Sequence, residues 1–203
     1  MIGIVDYGMG NLKSVFNAVE YCGGDVELCA FPEELEDKEK IILPGVGAFR
    51  DCMENLRNRG FVEVLNRIVL KEKRPILGIC LGMQAMARKS FEFGEFEGLG
   101  WFEADVVRLS PSDSSLKVPQ IGWNNISYKK HPMFEGLPES PDFYFVHSFY
   151  MKCDSENDVA ATCDYGMTVT AAVAKDNIFA TQFHPEKSQD YGLKMIENFI
   201  SLC

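Results

Sequence analysis

Apolar and polar residues follow two patterns along the first 90 residues: short apolar runs come between segments whose apolar residues recur at helical spacing. This alternation is typical of βαβ units around a parallel sheet. The apolar runs predict four strands, at residues 2–5, 25–29, 40–43 and 75–80. The pattern therefore predicts a doubly wound α/β fold, with a mostly parallel sheet and flanking helices.

Helical segments separate these runs. Asn11 is placed to cap a first helix, which the Gly23-Gly24 pair would end. Two further helices are predicted within residues 48–72, with a break at Gly60, and another begins near Gly82. The residues expected on the inward faces of the first two helices are Leu12, Val15, Phe16 and Val19, and then Phe49, Cys52, Met53 and Leu56.

After Trp101 the pattern changes to short β-prone runs between turn residues, at 104–109, 143–146, 168–173 and 178–182. These strands would extend the parallel sheet or flank it. An amphipathic helix is predicted at 191–202, with inward residues Leu193, Ile196, Phe199 and Ile200. Because no repeat, low-complexity tract or linker interrupts the chain, we expect a single domain over residues 1–203.

Composition narrows the class of protein. With 46% apolar and 25% charged residues, the 203-residue chain is typical of a folded globular protein and unlike a disordered, collagenous or coiled-coil one. Thirty acidic against twenty basic residues give a formal charge of -10, which would repel phosphate backbones. We therefore expect no nucleic-acid partner.

The cysteines and the N-terminus bear on location. Seven scattered cysteines without a CxxC pair indicate reduced thiols rather than disulfides or a zinc site, and no metal is expected. The first residues lack the basic start and apolar run of a signal peptide, and the most apolar stretch, residues 75–87, is short for a membrane span. A cytoplasmic protein with no membrane partner is expected.

One cysteine lies between two glycines where a predicted strand meets a predicted helix, in Gly78-Ile-Cys80-Leu-Gly82. A nucleophile on such a sharp turn needs neighbours without side chains, because flanking Cβ atoms would clash. The N-terminus of the following helix favours a thiolate and directs N–H groups toward a developing anion. The pentapeptide alone is equally compatible with a buried structural cysteine.

The second motif is His184-Pro185-Glu186. Proline disfavours the α conformation of the residue before it, so His184 should be extended, with the side chains two residues apart on the same side. A carboxylate beside an imidazole can hold its tautomer and stabilise the imidazolium. Alone the motif also fits an ordinary turn, but together with the glycine-flanked cysteine it predicts a triad of Cys80, His184 and Glu186.

Pro44-Gly-Val-Gly47 follows a predicted strand upstream of the cysteine. Its glycines would let the backbone approach a ligand and turn an N–H toward it, as an oxyanion hole requires beside the N–H of Leu81. A phosphate loop would need a third glycine and a Lys-Ser/Thr pair, which are absent. Of the two remaining histidines, His131 is predicted at the surface, and His147 is either a ligand-side group or a hydrogen-bonded core residue.

With these residues the sequence resembles the triad, class I glutamine amidotransferases over essentially its whole length, and among them the glutaminase subunits of imidazole glycerol phosphate synthases. The superfamily motifs are the cysteine turn and His-Pro-Glu. The motifs that point to the subunit family are Asp6-Tyr-Gly-Met-Gly-Asn11, Pro44-Gly-Val-Gly47 and His184-Pro-Glu-Lys-Ser188. The resemblance implies a flavodoxin-like α/β fold and no cofactor.

The resemblance also implies roles for the matching positions. Cys80 would be the nucleophile, His184 the general base and then acid, and Glu186 its orienter. The oxyanion hole would be formed by the N–H groups of Val46 and Leu81. The positions implied in glutamine binding are Gly47, Gln84, Ser148 and Phe149, and those implied in partner contacts are Asn11, Pro119, Trp123, Tyr144 and Lys187.

In the implied reaction the chain hydrolyses L-glutamine and forms a heterodimer with a (βα)8-barrel synthase (cyclase) subunit, which uses the ammonia in histidine biosynthesis. Three departures from the family pattern, at Gln120-Ile121, Phe149 and residues 88–97, lie outside the triad. They leave open a paralogous glutaminase that feeds a sugar-aminating or amidinating synthase. Two further hypotheses are a non-catalytic docking subunit and a free-standing cysteine hydrolase.

Overall fold

The structure is a computed structural model and describes residues 1–202. Its strands are β1 Ile2–Val5, β2 Val26–Cys29, β3 Lys40–Leu43, β4 Ile76–Ile79, β5 Ala87–Ser90, β6 Phe96–Glu97, β7 Phe102–Arg108, β8 Gln120–Tyr128, β9 Asp142–His147, β10 Phe149–Cys153, β11 Val159–Asp164, β12 Thr168–Lys175 and β13 Ile178–Thr181. Its α-helices are α1 Leu12–Tyr21, α2 Phe49–Asn58, α3 Phe61–Leu65, α4 Leu81–Ala85 and α5 Gln189–Ser201. A π-helical turn, Asn66–Lys71, continues α3.

A nine-stranded sheet has the order β2-β1-β3-β4-β13-β12-β11-β8-β9. Its first five strands are parallel, and the remaining four pair antiparallel. The four strands predicted in the first 90 residues all lie in the parallel half. The predicted α/β fold with flanking helices is therefore confirmed, but half of the strand pairings in this sheet are antiparallel, so the sheet is mixed rather than mostly parallel.

The strands after Trp101 both extend and flank the sheet. Strands β13, β12 and β9 lengthen it, whereas β7 joins a second, four-stranded sheet of order β10-β7-β5-β6. Strands β5, β6, β8, β10 and β11 were not predicted. The polar residues Gln120, Asn124 and Asn125 in β8 obscure its apolar pattern, because this strand is largely exposed on one side.

The main sheet is covered on both faces, which explains its almost continuous apolar strands. Successive residues alternate between the two sides: Ile41 and Leu43 pack in a cluster with α2 and α3, and Ile42 packs in a cluster with α1 and α5. The predicted inward residues of α2 are all buried. In α1 and α5, Val15, Val19, Ile196 and Phe199 are buried, while Leu12, Phe16, Leu193 and Ile200 are partly buried against the same cluster.

Two local details differ from the expectation. Asn11 stands at the N-cap of α1, but its side chain makes no capping hydrogen bond, and with a φ of -87° and ψ of 64° its backbone is not in the extended conformation usual for a cap. The last helix begins at Gln189, two residues earlier than predicted. Gly60 does separate α2 from α3, with a φ of 76°.

The cysteines within residues 1–202 are free thiols: Cys22, Cys29, Cys52, Cys80, Cys153 and Cys163. The seventh cysteine, Cys203, which was also expected to be reduced, lies outside the described residues. In this part of the chain no helix is long and apolar enough to cross a membrane.

Candidate active site

The two chemical motifs meet at the carboxyl ends of adjacent parallel strands. Cys80 directly follows β4, and His184 lies three residues beyond β13, which is the parallel neighbour of β4. The backbone N–H of Cys80 donates to the carbonyl oxygen of Thr181 at 2.7 Å. The carboxyl ends of parallel strands are where open α/β sheets place ligands.

The turn that carries Cys80 is strained. Its φ of 53° and ψ of -105° are uncommon for a residue with a side chain. A Cβ atom at Gly82 would lie 1.8 Å from the carbonyl oxygen of Leu43, and one at Gly78 would lie 2.9 Å from the Cβ atom of Ala180, which cannot rotate away. Both flanking glycines are therefore sterically required, as the sequence predicts.

His184 and Glu186 form a buried pair with an Nδ1 to Oε1 distance of 2.8 Å, and their side chains are 2% and 1% exposed. His184 is extended, with a φ of -101° and ψ of 96°. Burial lowers the pKa of His184, but its interactions with Cys80 and Glu186 outweigh burial and raise it to about 9. The site thus favours an imidazolium beside the sulfur and the carboxylate.

The second ring nitrogen of His184, Nε2, is buried and makes no well-aligned hydrogen bond to any of residues 1–202. Because Nδ1 is held by Glu186, Nε2 is the nitrogen left to exchange a proton. Cys80 is one of the two residues that raise the pKa of this ring, so Nε2 is the atom available to exchange a proton at the nucleophile.

The loop expected to complete the oxyanion hole has the opposite orientation. The N–H of Leu81 donates to the carbonyl oxygen of Gly45 at 3.3 Å. In a trans peptide the C=O and N–H groups point in opposite directions, so the N–H of Val46 points away from Leu81. The oxyanion hole expected from Val46 and Leu81 is not assembled in this conformation, because one donor is occupied and the other is turned outward.

A cavity of about 440 Å³ opens over Cys80 and His184. The four residues implied in glutamine binding, Gly47, Gln84, Ser148 and Phe149, all line it. The side-chain N–H groups of Gln84 donate to the carbonyl oxygen of Phe149 at 2.9 Å and to Oε1 of Gln182 at 3.0 Å. The cavity has the size of a small-molecule site.

Glu92 also lines this cavity, and sequence reasoning missed it. Its carboxylate accepts a hydrogen bond of 2.6 Å from the backbone N–H of Phe49 at the start of α2. The only sequence signal was an acidic residue between two phenylalanines, Phe91 and Phe93, in a segment with no clear periodicity. Its place at the cavity depends on the second sheet, which was not predicted.

Most residues implied in partner contacts gather beside the cavity mouth. Pro119 and Lys187 line the cavity itself. The Lys187 ammonium lies 5.9 Å from the ring centre of Tyr144, whose ring lies 6.1 Å from that of Trp123. Asn11 stands at the start of α1, which packs against the turn Pro185–Lys187.

The remaining two histidines have structural surroundings. Nδ1 of His147 lies 2.9 Å from the Phe149 carbonyl oxygen, and its Nε2 lies 3.0 Å from the side-chain amide group of Gln120. Burial, together with the charge of His184, lowers the pKa of His147 to about 4, so it is neutral at pH 7 although it lines the cavity. The surface prediction for His131 was wrong: it is half-buried, with its ring stacked 5.1 Å from Phe179.

A thiol on a strained strand-to-helix turn, next to a buried histidine and carboxylate, defines a class of α/β enzymes with a cysteine nucleophile. Comparison with known families narrows this class. The family model described as glutamine amidotransferase class-I matches residues 3–202, and the chain belongs to that family.

Curated relatives align with the chain from end to end. Imidazole glycerol phosphate synthase subunit HisH 1 of Campylobacter jejuni (strain RM1221) is 49% identical over 203 residues, which is 100% of both chains. The subunit HisH of Sulfurimonas denitrificans is 51% identical over 201 residues, covering 98% of this chain and 97% of the relative. HisH 2 of Nitrobacter winogradskyi is 49% identical over 205 residues, with coverage of 98% and 97%.

Solved structures share the fold at lower identity. A crystal structure of a glutamine amidotransferase has a TM-score of 0.77 and 21% identity, covering 99% of each chain. The structure of PurLQS from Thermotoga maritima has a TM-score of 0.76 and 18% identity, covering 98% of this chain and 96% of that one. Both support the same α/β architecture.

Proposed function

We propose that this chain is the glutaminase subunit of an imidazole glycerol phosphate synthase, which hydrolyses L-glutamine and delivers ammonia for histidine biosynthesis. The observation that carries the proposal is the meeting of Cys80 with the buried pair of His184 and Glu186 in one cavity. Relatives about half identical over the full length bear the name of this subunit. Their names favour it over a sugar-directed paralogue.

In the proposed reaction the Cys80 thiolate attacks the side-chain amide carbon of glutamine. The imidazolium of His184 gives its proton to the leaving nitrogen, so ammonia departs and a glutamyl thioester remains. The neutral ring then takes a proton from water, which attacks the thioester, and glutamate and the thiolate are released. Glu186 holds the ring through Nδ1 during both proton transfers.

The lining of the cavity is complementary to an amino acid. The substrate carries an α-ammonium and an α-carboxylate besides its side-chain amide. Glu92 supplies a carboxylate to the cavity lining, and this carboxylate can form a charge-assisted hydrogen bond with the α-ammonium. Gly47, Gln84, Ser148 and Phe149 offer the remaining backbone and side-chain contacts.

The proposed partner is a (βα)8-barrel synthase (cyclase) subunit, bound at the cavity mouth. Trp123 is 45% exposed and the neighbouring Ile121 is 63% exposed. Exposed apolar side chains in one place mark a protein interface, and Tyr144 and Lys187 adjoin them. A partner seated here would shield ammonia from solvent. In this proposal the chain acts as one glutaminase domain in the cytoplasm.

The proposal is tested by co-purifying the chain with the synthase (cyclase) subunit and then identifying the molecule that accepts the ammonia. The complex should convert glutamine and the ribulosyl phosphate intermediate to imidazole glycerol phosphate. If the ammonia were instead transferred to a sugar substrate, the paralogous function would replace this one. A chain that hydrolyses glutamine at full rate without any partner would favour a free-standing hydrolase.

A further inference from the structure

The side chain of Gln182 contacts the sulfur of Cys80. It is completely buried, and its Nε2 lies 3.6 Å from Cys80 Sγ. Gln182 follows β13 directly and comes two residues before His184, and both side chains interact with the sulfur. The backbone N–H of Gln182 is fixed to the carbonyl oxygen of Ala171 at 2.8 Å.

The direction of the hydrogen bonds that reach Cys80 is set by the carbonyl oxygen of Phe149. A carbonyl oxygen can only accept, so Gln84 must turn its NH2 group toward it. The second N–H of this group donates to Oε1 of Gln182. The amide of Gln182 therefore has its oxygen occupied and its NH2 group directed at the sulfur, where it acts as a donor.

We infer that Gln182 is a positioning residue for glutamine hydrolysis: its amide donates to the Cys80 sulfur, stabilises the thiolate and holds it in the orientation for attack. The inference rests on the proposed role of Cys80 as the nucleophile. Unlike His184, the amide does not titrate, so this donor persists while the histidine gives up and regains its proton. The sulfur then keeps its direction through both halves of the reaction.

The donor acts among several ionisable groups. The titratable and charged groups around the sulfur are His184 and its partner Glu186 beyond the end of β13, His147 at the end of β9, Glu92 and Lys187 in the cavity lining, and Tyr7 just after β1. A replacement of Gln182 by an uncharged side chain changes none of them. A shift in the protonation of Cys80 in such a variant is then attributable to the missing donor.

The test compares Gln182→Met, which keeps the length of the side chain without a donor, with the unmutated chain, both bound to the synthase. Hydrogen bonds to charged groups justify an expected loss of roughly 10- to 100-fold in glutaminase kcat, with KM changed less than about twofold. The pH midpoint for alkylation of Cys80 by iodoacetamide, followed by peptide mass spectrometry, should rise. Synthesis from ammonium salts should be unaffected.

The matched control is Thr170→Val, a buried polar-to-apolar change in β12 outside the cavity. It should leave kcat and the alkylation midpoint unchanged. A folded Gln182→Met protein with normal kcat and a normal alkylation midpoint would overturn the inference. A loss of kcat without any change in the midpoint would also overturn it, since a purely structural role predicts that result.

A second measurement, by NMR, does not depend on whether a variant at Gln182 folds. In the unmutated chain labelled at glutamine side chains, the Gln182 amide resonance should shift with the same pH midpoint as alkylation of Cys80, and this titration should be missing in Cys80→Ala. A resonance insensitive to the state of the sulfur would contradict the contact. Glutaminase activity retained in Cys80→Ala would overturn the proposed function. Normal activity and a normal alkylation midpoint in Gln182→Met would overturn only the role of Gln182.

Discussion

The backbone N–H of Leu81 donates to the carbonyl oxygen of Gly45, 3.3 Å away. This contact uses an N–H group that we propose as a donor to the oxyanion of the reaction. A half turn of the peptide joining Gly45 to Val46 would release it and bring a second N–H inward. Glycine makes that rotation accessible, and a Cβ atom at Gly45 would lie 2.6 Å from the Tyr7 oxygen, so no other residue fits there.

We therefore expect the isolated chain to be a poor glutaminase. The synthase, together with its bound nucleotide ligand, should shift the loop toward the rotated peptide. An activation of roughly hundredfold requires about 2.7 kcal/mol of coupling free energy. Turnover should be measured for the chain alone, with the synthase, and with synthase and ligand. Full activity of the chain alone would show that the loop does not limit the reaction.

Replacing Cys80 by alanine should abolish glutamine hydrolysis in the complex. Loss of a nucleophile typically lowers the rate by several powers of ten. Synthesis from added ammonium salts should continue, because the synthase and its interface are unchanged. Glutamate release and imidazole glycerol phosphate formation measure the two reactions separately. Near-normal glutaminase turnover in Cys80→Ala would remove this residue from the mechanism.

Cys80 should be modified selectively by a diazo-ketone analogue of glutamine. Four other thiols are held protonated: burial raises the pKa of Cys52, Cys153 and Cys163 to about 12 and that of Cys29 to about 11. Thiols held protonated react slowly. Peptide mass spectrometry should locate the label on Cys80, whereas labelling spread evenly over the cysteines would count against an activated nucleophile.

His147 should make the stability of the chain fall in mild acid. Its pKa is lowered to about 4 in the folded protein, against about 6.5 in an unfolded chain. The unfolded state therefore binds more protons between these values, so the contribution is complete above about pH 6.5 and is lost as the pH falls toward 4. Between pH 7 and pH 5 the loss contributed by His147 alone is expected to be about 2 kcal/mol.

Urea unfolding at about pH 7 and about pH 5 measures this loss. The matched variant is His147→Gln, whose neutral side chain does not titrate. The difference between the two pH values should be smaller in the variant by about the same 2 kcal/mol. Equal pH dependence in both proteins would show that His147 does not carry the effect.

Gly82→Ala should prevent stable folding of the cysteine turn. The added Cβ atom would lie 1.8 Å from the Leu43 carbonyl oxygen, which is backbone of the neighbouring strand and cannot move aside. We expect a loss of more than about 3 kcal/mol in the free energy of unfolding. Gly23→Ala is the control, since that site has a φ of 80° but open space. Its cost should be only about 1–2 kcal/mol, so similar losses in both would contradict the steric argument.

Local patterns in the sequence determined much of the secondary structure and turn geometry of this protein. The strands β1, β3 and β4 were predicted because each is a short apolar run buried on both faces of the sheet. The turn at Cys80 was predicted because its glycines are required by steric contacts with the turn and the strands next to it. The extended backbone of His184 follows from the proline after it.

Only the tertiary structure decided which elements became neighbours. Pairing of β13 with β4 brings His184 and Gln182 to Cys80, and the second sheet brings Glu92 to the cavity. The loop conformation in which the Gly45 carbonyl oxygen accepts from the Leu81 N–H could not be predicted from the sequence either. Hydrophobic periodicity and turn residues indicate the conformation of consecutive residues. Strand order and peptide orientation depend instead on contacts between residues far apart in the chain. No local pattern in a single sequence encodes those contacts.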